Sequence, residues 1–351
     1  MPVSQSLVHE AIALLQRLIS TPSFSREEAG TAALFEAFFR QKNIPAQRLG
    51  NNVWAKSKHW DEAKPTLLLN SHHDTVRPVA GWRRNPFEPG IENGKLYGLG
   101  SNDAGGSLVA LAAVFVYFFE EKNLPWNLVF AVSAEEEVSG NQGIAMVLPV
   151  LGKIDAGIVG EPTEMQMAVA EKGLLVVDAE AKGVAGHAAR NEGVNALYLA
   201  LEDVQRIQNL RFERVSEWLG EVKITVTQIE AGTQHNVVPD RCRFVLDVRT
   251  NERYSNAEVL EILQKELCSE LRPRSLRLNS SSIDLEHPLV VRGRELGLVC
   301  FGSPTLSDQA LMPFPTLKIG CGDSARSHTA DEFIFLDEIE KGIEVYAHFL
   351  K

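Results

Sequence analysis

The sequence contains little positive charge for its size. Its 351 residues include 35 Lys and Arg against 46 Asp and Glu, which gives a formal net charge of −11 at pH 7. Proteins that bind nucleic acid need a basic surface opposite the phosphate backbone, and anionic membranes also attract basic segments. We therefore expect a protein that binds neither nucleic acid nor a membrane surface.

Cysteine is scarce as well. The four cysteines (Cys242, Cys268, Cys300 and Cys321) lie far apart in the sequence, and no two have CxxC spacing. This pattern disfavours both a cysteine-ligated zinc site and a disulfide framework. A reducing compartment suits such a chain, and we expect a cytoplasmic protein.

Long apolar runs, repeats and low-complexity tracts are missing from the sequence. The longest apolar run, 108–119, is too short to span a bilayer, so it predicts a buried helix. The segment 5–20 predicts an amphipathic helix without the apolar region of a cleavable signal. Ser25-x-x-Glu28 has the pattern of a capping box and predicts a second helix through about Gln41.

Three apolar runs that predict buried strands are each followed directly by polar residues of metal-binding types. Open α/β sheets place their binding sites at this end of the strands. A run of charges is more often a solvated surface, but the same coincidence at three strands favours one shared site. The runs and their polar continuations are 66–70 with Ser71-His72-His73-Asp74, 127–133 with Glu135-Glu136-Glu137, and 155–160 with Glu161.

Two further candidate ligands lie outside these strands. Asp103 lies in a glycine-rich turn before the apolar helix, where a helix-capping role explains a carboxylate equally well. His328 lies in a loop between a short strand and the last predicted helix. Two metal ions about 3.5–4 Å apart need one bridging carboxylate and further His or carboxylate ligands for each ion. The chain offers a matching set: His72, Asp103, Glu137, Glu161 and His328.

The length favours two domains, and the pattern of elements changes near residue 174 and again near residue 286. The middle segment predicts the order β-α-β-β-α-β, which is typical of a ferredoxin-like α+β domain with an antiparallel sheet. The flanking segments 1–173 and 286–351 predict one discontinuous α/β domain with helices around a mixed sheet. Within 174–285, the predicted strands are 174–181, 223–229, 242–250 and 275–279, and the predicted helices are 194–209 and 256–271.

Four short motifs resemble those of a known enzyme family. Residues 71–76 are similar to its H-x-D-x-V element, 97–103 to Y-G-R-G-x-x-D, 135–137 to [DE]-E-E and 160–163 to G-E-P-T. The family is that of the co-catalytic zinc amidohydrolases, which includes acetylornithine deacetylase, succinyl-diaminopimelate desuccinylase, aminoacylase and glutamate-releasing carboxypeptidases. The similarity extends over essentially the whole chain. It implies a zinc-peptidase-like catalytic domain with an inserted lid domain, through which the chain forms a homodimer.

The resemblance implies a role for each candidate ligand. Asp103 would bridge two divalent metal ions, for which zinc is the expected metal and cobalt or manganese are alternatives. His72 and Glu161 would complete the coordination of one ion, and Glu137 and His328 that of the other. The ions would activate a water molecule and polarise the scissile amide carbonyl.

Three neighbouring residues have implied roles beside the ligands. Asp74 would accept the second ring proton of His72 and so orient the imidazole. Glu136 would act as the general base, taking a proton from the attacking water and returning it to the leaving amine. His73 competes with His72 for the ligand position, but only His72 has the H-x-D spacing.

The insert contributes three more candidates by resemblance. His187 matches the lid histidine that reaches the active site of the partner subunit and stabilises the oxyanion. Asn236, in an N-x-V-P-D loop, would bind substrate, and Arg249 matches the arginine that binds the substrate α-carboxylate. The simpler alternatives are a histidine in a turn and an arginine on the surface.

The motifs depart from the family at positions that bear on the substrate. Leu99 replaces the arginine of Y-G-R-G, and Asp103-Ala-Gly-Gly replaces D-M-K-G. Arg83 and Arg84 precede this motif. If they face the pocket they favour an anionic acyl group such as succinyl, whereas in solvent they carry no information.

Within the family, acetylornithine deacetylase is the closest resemblance. It implies hydrolysis of a small-molecule N-acyl amino acid in arginine biosynthesis, with N-acetyl-ornithine, or an N-acetyl- or N-succinyl-citrulline or -ornithine, as substrate. The alternatives on the same scaffold are succinyl-diaminopimelate desuccinylase, N-acyl-lysine deacylase and dipeptidase activities. A non-catalytic binding protein is disfavoured because Glu136 and all five ligands are present.

Overall fold

The computed structural model describes residues 4–351; residues 1–3, the start of the first predicted domain, lie outside the described residues. The chain divides into two compact units. The outer unit comprises the chain up to Val169, Ile283–Phe301 and Ser307–Lys351, and the insert unit comprises Ala170–Ser282 and Gly302–Leu306. The predicted boundaries, 173/174 and 285/286, lie a few residues after the observed ones, and the segment Gly302–Leu306 joins the insert unit in addition to the predicted range.

The described residues form eight α-helices and eighteen strands. The helices are α1 (Gln5–Ile19), α2 (Ala29–Gln41), α3 (Gly106–Phe118), α4 (Ile144–Leu151), α5 (Ala196–Asn209), α6 (Asn256–Glu266), α7 (Pro288–Glu295) and α8 (Leu336–Phe349). The strands are β1 (Ala46–Leu49), β2 (Asn52–Lys56), β3 (Thr66–His72), β4 (Gly90–Glu92), β5 (Lys95–Tyr97), β6 (Asn127–Ser133), β7 (Ala156–Val159), β8 (Met167–Glu171), β9 (Leu175–Lys182), β10 (Gly186–His187), β11 (Lys223–Ala231), β12 (Val237–Val238), β13 (Arg241–Arg249), β14 (Glu270–Pro273), β15 (Ser281–Ser282), β16 (Cys300–Ser303), β17 (Thr316–Lys318) and β18 (Phe333–Phe335).

The outer unit is organised around a mixed sheet with the strand order β1-β2-β6-β3-β7-β17-β8. The central strands β6, β3 and β7 run parallel, and β3 and β6 are buried along their whole length. Continuous apolar runs such as Leu67-Leu68-Leu69 suit strands whose two faces are both covered. The predicted α/β class with a mixed sheet is confirmed.

Helix α3 is the most deeply buried helix of the outer unit. Among the described residues, the segment Ser101–Phe118 is long and apolar enough to cross a membrane, and 83% of it is buried inside the protein. Regular helix begins only at Gly106, because Asp103 and Ala104 have non-helical backbone angles. The burial is typical of a core helix, as predicted for 108–119.

Helix α2 begins differently from the predicted capping box. Its first residue is Ala29, and Glu28 at the N-cap makes no side-chain cap bond. The Ser25 hydroxyl instead donates to Asp74 at 2.7 Å, and the Glu28 carboxylate accepts from Asn51 Nδ2 at 2.7 Å. The helix prediction is confirmed but the capping box is wrong, because tertiary partners take both side chains.

The insert unit contains a four-stranded antiparallel sheet in the order β14-β9-β13-β11. Along the chain its elements follow as β9-α5-β11-β13-α6-β14, which is the predicted β-α-β-β-α-β order of a ferredoxin-like domain. The core of this unit includes Val177, Phe244 and Leu246 from the strands and Leu263 from α6.

The last strand of the insert unit lies earlier in the chain than predicted. Helix α6 ends at Glu266 rather than 271, and the strand is Glu270–Pro273 rather than 275–279. Leu271 is buried and lies opposite Ala179 of β9. These residues therefore complete the sheet, which satisfies their backbone groups as the helix would have done.

Candidate metal centre

The three polar strand ends identified in the sequence lie side by side at one edge of the outer sheet. Strand β3 is hydrogen-bonded to β6 on one side and to β7 on the other, and all three run parallel. The register places His72 opposite Ser133 and Asn70 opposite Val159. Because parallel neighbours end at the same edge, the residues that follow β6 and β7 come close to His72.

Glu136 and Glu137 lie in a turn whose backbone is held by two buried carboxylates. The amide N–H of Glu135 donates to Glu28 Oε1 at 3.2 Å. The amides of Glu136 and Glu137 donate to Asp74 Oδ1 and Oδ2 at 3.0 and 3.1 Å. Three successive amides thus have fixed acceptors, so the directions of the Glu136 and Glu137 side chains are set by the backbone of this turn.

Asp103 lies in the irregular turn that precedes α3. The buried carboxylate of Glu332 accepts the amides of Gly100, Asn102 and Asp103 at 2.9, 2.8 and 2.9 Å. Gly105 is required at the end of this turn, since a Cβ atom there would overlap the carbonyl oxygen of Gly100. The two features hold the backbone that carries the Asp103 carboxylate.

His328 approaches the strand ends from the loop between β17 and β18. Its backbone is left-handed, with φ 57°, and its side chain is 52% exposed. The Nε2 atom lies 3.0 Å from Glu137 Oε2 and 3.6 Å from Asp103 Oδ2. The loop thereby places an imidazole beside two carboxylates from different parts of the chain, one in the turn after β6 and the other in the turn before α3.

His72 lies at the centre of the cluster. Its Nε2 atom is 3.4 Å from Asp103 Oδ1, 3.8 Å from Glu161 Oε1 and 3.9 Å from Glu136 Oε2. Two sets have possible ligand atoms that all lie within 4.8 Å of one another: His72 with Asp103 and Glu137, and His72 with Glu136 and Glu161. The outer unit therefore brings together all five predicted ligands and the predicted base.

Burial raises the pKa of most of these carboxylates. Loss of hydration raises the pKa of Glu136 well above its usual value, that of Glu161 to about 8, and that of Glu137 as well. Asp103 differs from the other three. Burial alone would raise its pKa, but the hydrogen bond and charge of His72 hold it below the ordinary value.

The same carboxylates raise the pKa of the two histidines. Burial alone would lower the pKa of His72, but the charge of Glu136 and the hydrogen bonds to Asp103 and Asp74 raise it well above 6.5. The hydrogen bond to Glu137 raises the pKa of His328 to about 9. The carboxylates thus favour positive charge beside these imidazoles, which metal cations would supply.

The residues present fit two divalent cations. Asp103, Glu136, Glu137 and Glu161 together carry four negative charges when ionised, which two such ions would balance. Glu161 Oε1 is buried and has no hydrogen-bond partner, a costly arrangement that a bound cation would relieve. Imidazole nitrogens and carboxylate oxygens are ordinary zinc donors. Cobalt and manganese accept the same donors, so the donor set does not select among the three.

His73 has a different environment from His72. Its Nδ1 atom lies 2.8 Å from Thr31 Oγ1, and its Nε2 donates to the carbonyl oxygen of Asn51 at 3.0 Å. Because a carbonyl only accepts, the proton is on Nε2, and burial lowers the pKa of this ring to about 4. Both nitrogens of the neutral ring are engaged, which leaves His72 as the candidate ligand.

Asp74 contacts His72 in part through its backbone. The Nδ1 atom of His72 lies 3.0 Å from the carbonyl oxygen of Asp74 and 3.4 Å from its carboxylate. The carboxylate also accepts from Ser25 and from the amides of Glu136 and Glu137. Asp74 therefore contacts the imidazole through its carbonyl oxygen and its carboxylate, and in addition holds the turn that carries the predicted base.

Arg83 and Arg84 are both engaged by acidic residues. The Asp331 carboxylate accepts the amides of Arg83 and Arg84 at 2.9 and 3.1 Å and Arg83 Nε at 3.0 Å. The Arg83 side chain is 89% exposed. Arg84 lies 4.1 Å above the ring of Tyr97 and pairs with Glu92. These contacts account for both guanidinium groups without a substrate.

His187 and Asn236 lie in neighbouring loops of the insert unit. His187 belongs to β10, where it lies opposite Val237 of β12, and the Ala188 amide donates to the carbonyl oxygen of Asn236 at 3.0 Å. Both candidate residues are exposed. The imidazole makes a local contact, since its Nδ1 accepts the Ala189 amide at 3.1 Å.

Arg249 is engaged within the four-stranded sheet of the insert unit. Its Nε and Nη2 atoms donate to the two carboxylate oxygens of Asp247 at 2.8 and 3.0 Å. Asp247 is two residues away on the same strand, so the two side chains point to the same face. A substrate carboxylate would have to replace Asp247 or share the guanidinium with it.

Four residues that hold the site were not assigned to it from the sequence: Ser25, Glu28, Asn102 and Glu332. Ser25 and Glu28 matched a helix cap, and that local explanation concealed their long-range contacts. The sequence feature that could have pointed to a role of Glu332 at the site is its position four residues after His328. Asn102 directly precedes Asp103, and its contacts are described below.

The sequence matches peptidase family M20/M25/M40 over residues 68–351. The chain belongs to this family. As a member of it, the protein is an enzyme of the metallopeptidase and amidohydrolase type, and the cluster at the strand ends is its candidate dinuclear metal site.

Solved structures of other proteins share the fold. A tripeptidase from Staphylococcus aureus is 18% identical, with 98% of each chain covered and a TM-score of 0.78. The aminopeptidase PepT from Bacillus cereus is 19% identical, with 99% of this chain and 98% of that chain covered and a TM-score of 0.77. The YXEP protein from Bacillus subtilis, described as a dinuclear metal binding peptidase of the M20 family, is 17% identical, with 99% and 98% covered and a TM-score of 0.76.

Proposed function

We propose that this M20-family protein hydrolyses the amide bond of an N-acyl amino acid, with N-acetyl-ornithine or the corresponding citrulline compound as substrate, in cytoplasmic arginine biosynthesis. The observation that supports the hydrolytic part is the convergence of five candidate ligands and one further carboxylate at the ends of β3, β6 and β7. The choice of substrate follows from the motif resemblance to acetylornithine deacetylase.

Five residues would hold the two metal ions in this proposal. His72 and Glu161 would ligate one ion, Glu137 and His328 the other, and Asp103 would bridge them. When bound, the ions supply Lewis acidity at the scissile carbonyl and lower the pKa of the attacking water.

Glu136 carries the proton in the proposed reaction. Its side chain is only 12% exposed and its Oε2 atom lies 3.9 Å from His72 Nε2, while its amide is fixed on Asp74. Burial raises the pKa of this carboxylate, which strengthens it as an acceptor of a proton from water that it then delivers to the leaving amine. The neighbouring Glu137 contacts His328 instead. The two adjacent glutamates would therefore have different roles, Glu136 as the base and Glu137 as a metal ligand.

The insert unit would complete the site in a homodimer. His187 would stabilise the oxyanion in the active site of the partner subunit, and Asn236 and Arg249 would bind the substrate. Exposed apolar side chains on this unit support an association surface, among them Tyr198 and Leu201 of α5 at 65% and 49% exposure.

Mixing two inactive variants tests the shared site. Subunits carrying His187→Ala and subunits carrying Glu136→Gln each lack one part, but a mixed dimer would contain one site with neither lesion. We expect partial recovery of activity after subunit exchange. Absence of recovery, with mixed dimers verified by differential tagging, would contradict the shared site.

The contacts of Arg83 and Arg84 bear on the acyl group. Both guanidiniums are engaged, by Asp331 and by Glu92 with Tyr97. They therefore lend no support to an anionic succinyl group over acetyl, and both acyl groups belong in the assay.

A dipeptidase or related exopeptidase is the second candidate function. It is favoured by the similarity to structures described as a tripeptidase and an aminopeptidase. Both activities would use the same ligands and base, so the difference lies in what occupies the acyl position: a short carboxylic acid or an aminoacyl group with a free amine.

One product analysis separates these candidates. Zinc-loaded protein is incubated with N-acetyl- and N-succinyl-ornithine, the two citrulline analogues, acyl-lysine, succinyl-diaminopimelate and a panel of di- and tripeptides. Release of acetate or succinate from an ornithine or citrulline compound, lost on chelation and restored by divalent metal, is the expected result. Cleavage of peptides alone would replace the proposal by the second candidate, and no hydrolysis of any compound would refute both.

A further inference from the structure

Two segments far apart in the sequence are joined on both sides of His328. One is the turn that carries Asp103, and the other is the loop that carries His328. Before His328 in the chain, Asp323 makes the first connection. Asn102 Nδ2 donates to the carbonyl oxygen of Asp323 at 3.1 Å, and the Asp323 amide donates to Asn102 Oδ1 at 3.1 Å. Asn102 is fully buried and Asp323 is partly buried, so water has limited access to this reciprocal pair.

After His328 in the chain, Glu332 makes the second connection. It is 2% exposed, and its carboxylate accepts three amides from the turn: those of Gly100, Asn102 and Asp103, at 2.8–2.9 Å. Both oxygens of this side chain are engaged, since two of the amides bond to Oε1 and one to Oε2. His328 thus lies between two anchors, five residues after one and four residues before the other.

We infer that Asn102 and Glu332 are positioning residues that fix the separation of Asp103 and His328, and with it one of the two metal positions. The inference rests on the proposed function, in which these two residues ligate the same ion. Their closest ligand atoms, Asp103 Oδ2 and His328 Nε2, lie 3.6 Å apart.

The backbone anchors are needed because packing alone does not hold the His328 ring, although its Nε2 atom contacts Glu137. The His328 side chain is 52% exposed, so packing restricts it little. Its left-handed backbone, φ 57°, is a conformation that non-glycine residues keep only when the surrounding structure imposes it. The two anchors impose it by holding the chain on either side.

General stabilisation of the fold is the competing explanation, and Glu338 provides the matched control. This glutamate lies in the same part of the chain, accepts the Phe335 amide at 3.0 Å and pairs with Arg326 at 2.7 Å. These contacts lie within the His328 loop and the start of α8, and neither of them joins that loop to the turn that carries Asp103. Glu338→Gln should therefore lower thermal stability without affecting the metal site.

The test compares Asn102→Ala, Glu332→Gln and Glu338→Gln. Zinc affinity is measured by chelator competition, and kcat and KM are measured at saturating zinc. Amide hydrogen exchange of residues 98–106 and 323–332 is measured in the metal-free protein. Outer partners of metal ligands typically contribute ~10–100-fold in affinity or activity, and we expect losses of that size in zinc affinity and kcat for the first two variants, with KM little changed. Exchange should accelerate in both segments of these variants, and the Glu338 variant should match wild type in zinc affinity and kcat.

Wild-type zinc affinity and kcat in Asn102→Ala and Glu332→Gln would overturn the inference. So would failure of both to fold while Glu338→Gln folds, since the two residues would then serve general stability. The zinc and exchange measurements need no substrate. If the wild-type protein hydrolyses nothing, the proposed function fails while these measurements still decide the role of the anchors.

Discussion

The outer unit and the insert unit hold their candidate functional residues in opposite ways. In the outer unit, His72 is buried and the carboxylates around it are only 8–15% exposed, whereas His328 is 52% exposed. The backbones of this cluster are held by Asp74, Glu28 and Glu332. In the insert unit, His187 and Asn236 are exposed, and Arg249 pairs with a neighbour on its own strand.

The difference indicates which site is already assembled within one unit. Buried charges must be arranged in advance because unpaired ones are costly to leave in the interior. Exposed side chains can remain in solvent until a substrate or a second subunit meets them. The metal cluster is therefore expected to respond to mutation as a rigid site, and the insert residues as groups recruited on binding.

The largest expected effect is that of Glu136→Gln in the outer unit. Loss of a general base typically costs ~10²–10⁴-fold in rate, and we expect a fall of kcat in this range with the metal content unchanged. The control variant is Glu121→Gln, which changes an exposed glutamate. An active Glu136 variant would refute its role as the base, and loss of metal would make it a ligand instead.

His187→Ala tests whether the exposed histidine acts at the metal site. Removing one oxyanion donor typically lowers kcat by ~10²–10³-fold, and we expect such a loss with unchanged zinc affinity. His59→Ala, at another exposed position, should behave as wild type. An unchanged kcat would mean that His187 is a turn residue without a role in catalysis. The comparison of the two units would then rest on the metal cluster of the outer unit alone.

Arg249→Ala should act on substrate binding. Hydrogen bonds to a charged group contribute about 1.5–3 kcal/mol, so we expect KM to rise by ~10–100-fold with a smaller change in kcat. Lys at this position should restore little, since an ammonium cannot replace the two parallel bonds of guanidinium. The control is Arg243→Ala, which lies on the same strand and pairs with Glu180 at 2.8 Å. An unchanged KM would make Arg249 a partner of Asp247 alone.

The smallest effect concerns acid stability of the insert unit. Hydrogen bonds from Ser255 and Arg214 lower the pKa of the exposed Glu258 to about 2 in the folded state. A depressed folded pKa stabilises the protein above the unfolded value of 4.5, and this contribution is lost as pH falls from 4.5 towards 2.

The melting temperature checks this prediction. Glu258→Gln should melt below wild type at pH 6, and the gap should close as the pH falls through this window. Glu261→Gln, on the exposed face of the same helix, should show no such gap. A gap independent of pH would contradict the assignment to the charge of Glu258.

Much of the candidate site was predictable because its signals are local. The apolar runs of β3, β6 and β7 and the acidic or histidine residues after them are visible in short stretches of sequence, and parallel pairing brings such ends together. The fourth strand of the insert was misplaced because 267–271 suits a helix locally, and only its pairing with β9 decides otherwise.

The sequence by itself determined the fold class, the order of the elements and the identities of five candidate ligands and a base. Only the tertiary structure decided that Ser25 and Glu28 leave the helix cap to hold Asp74 and the 135–137 turn, that Arg83 and Arg84 are bound by Asp331 and Glu92, and that Glu332 anchors the turn of Asp103. The physical reason is how far apart in the sequence the interacting residues lie. Periodicity and motif spacing record neighbours along the chain, whereas a buried carboxylate takes the donors that folding brings to it from anywhere in the chain.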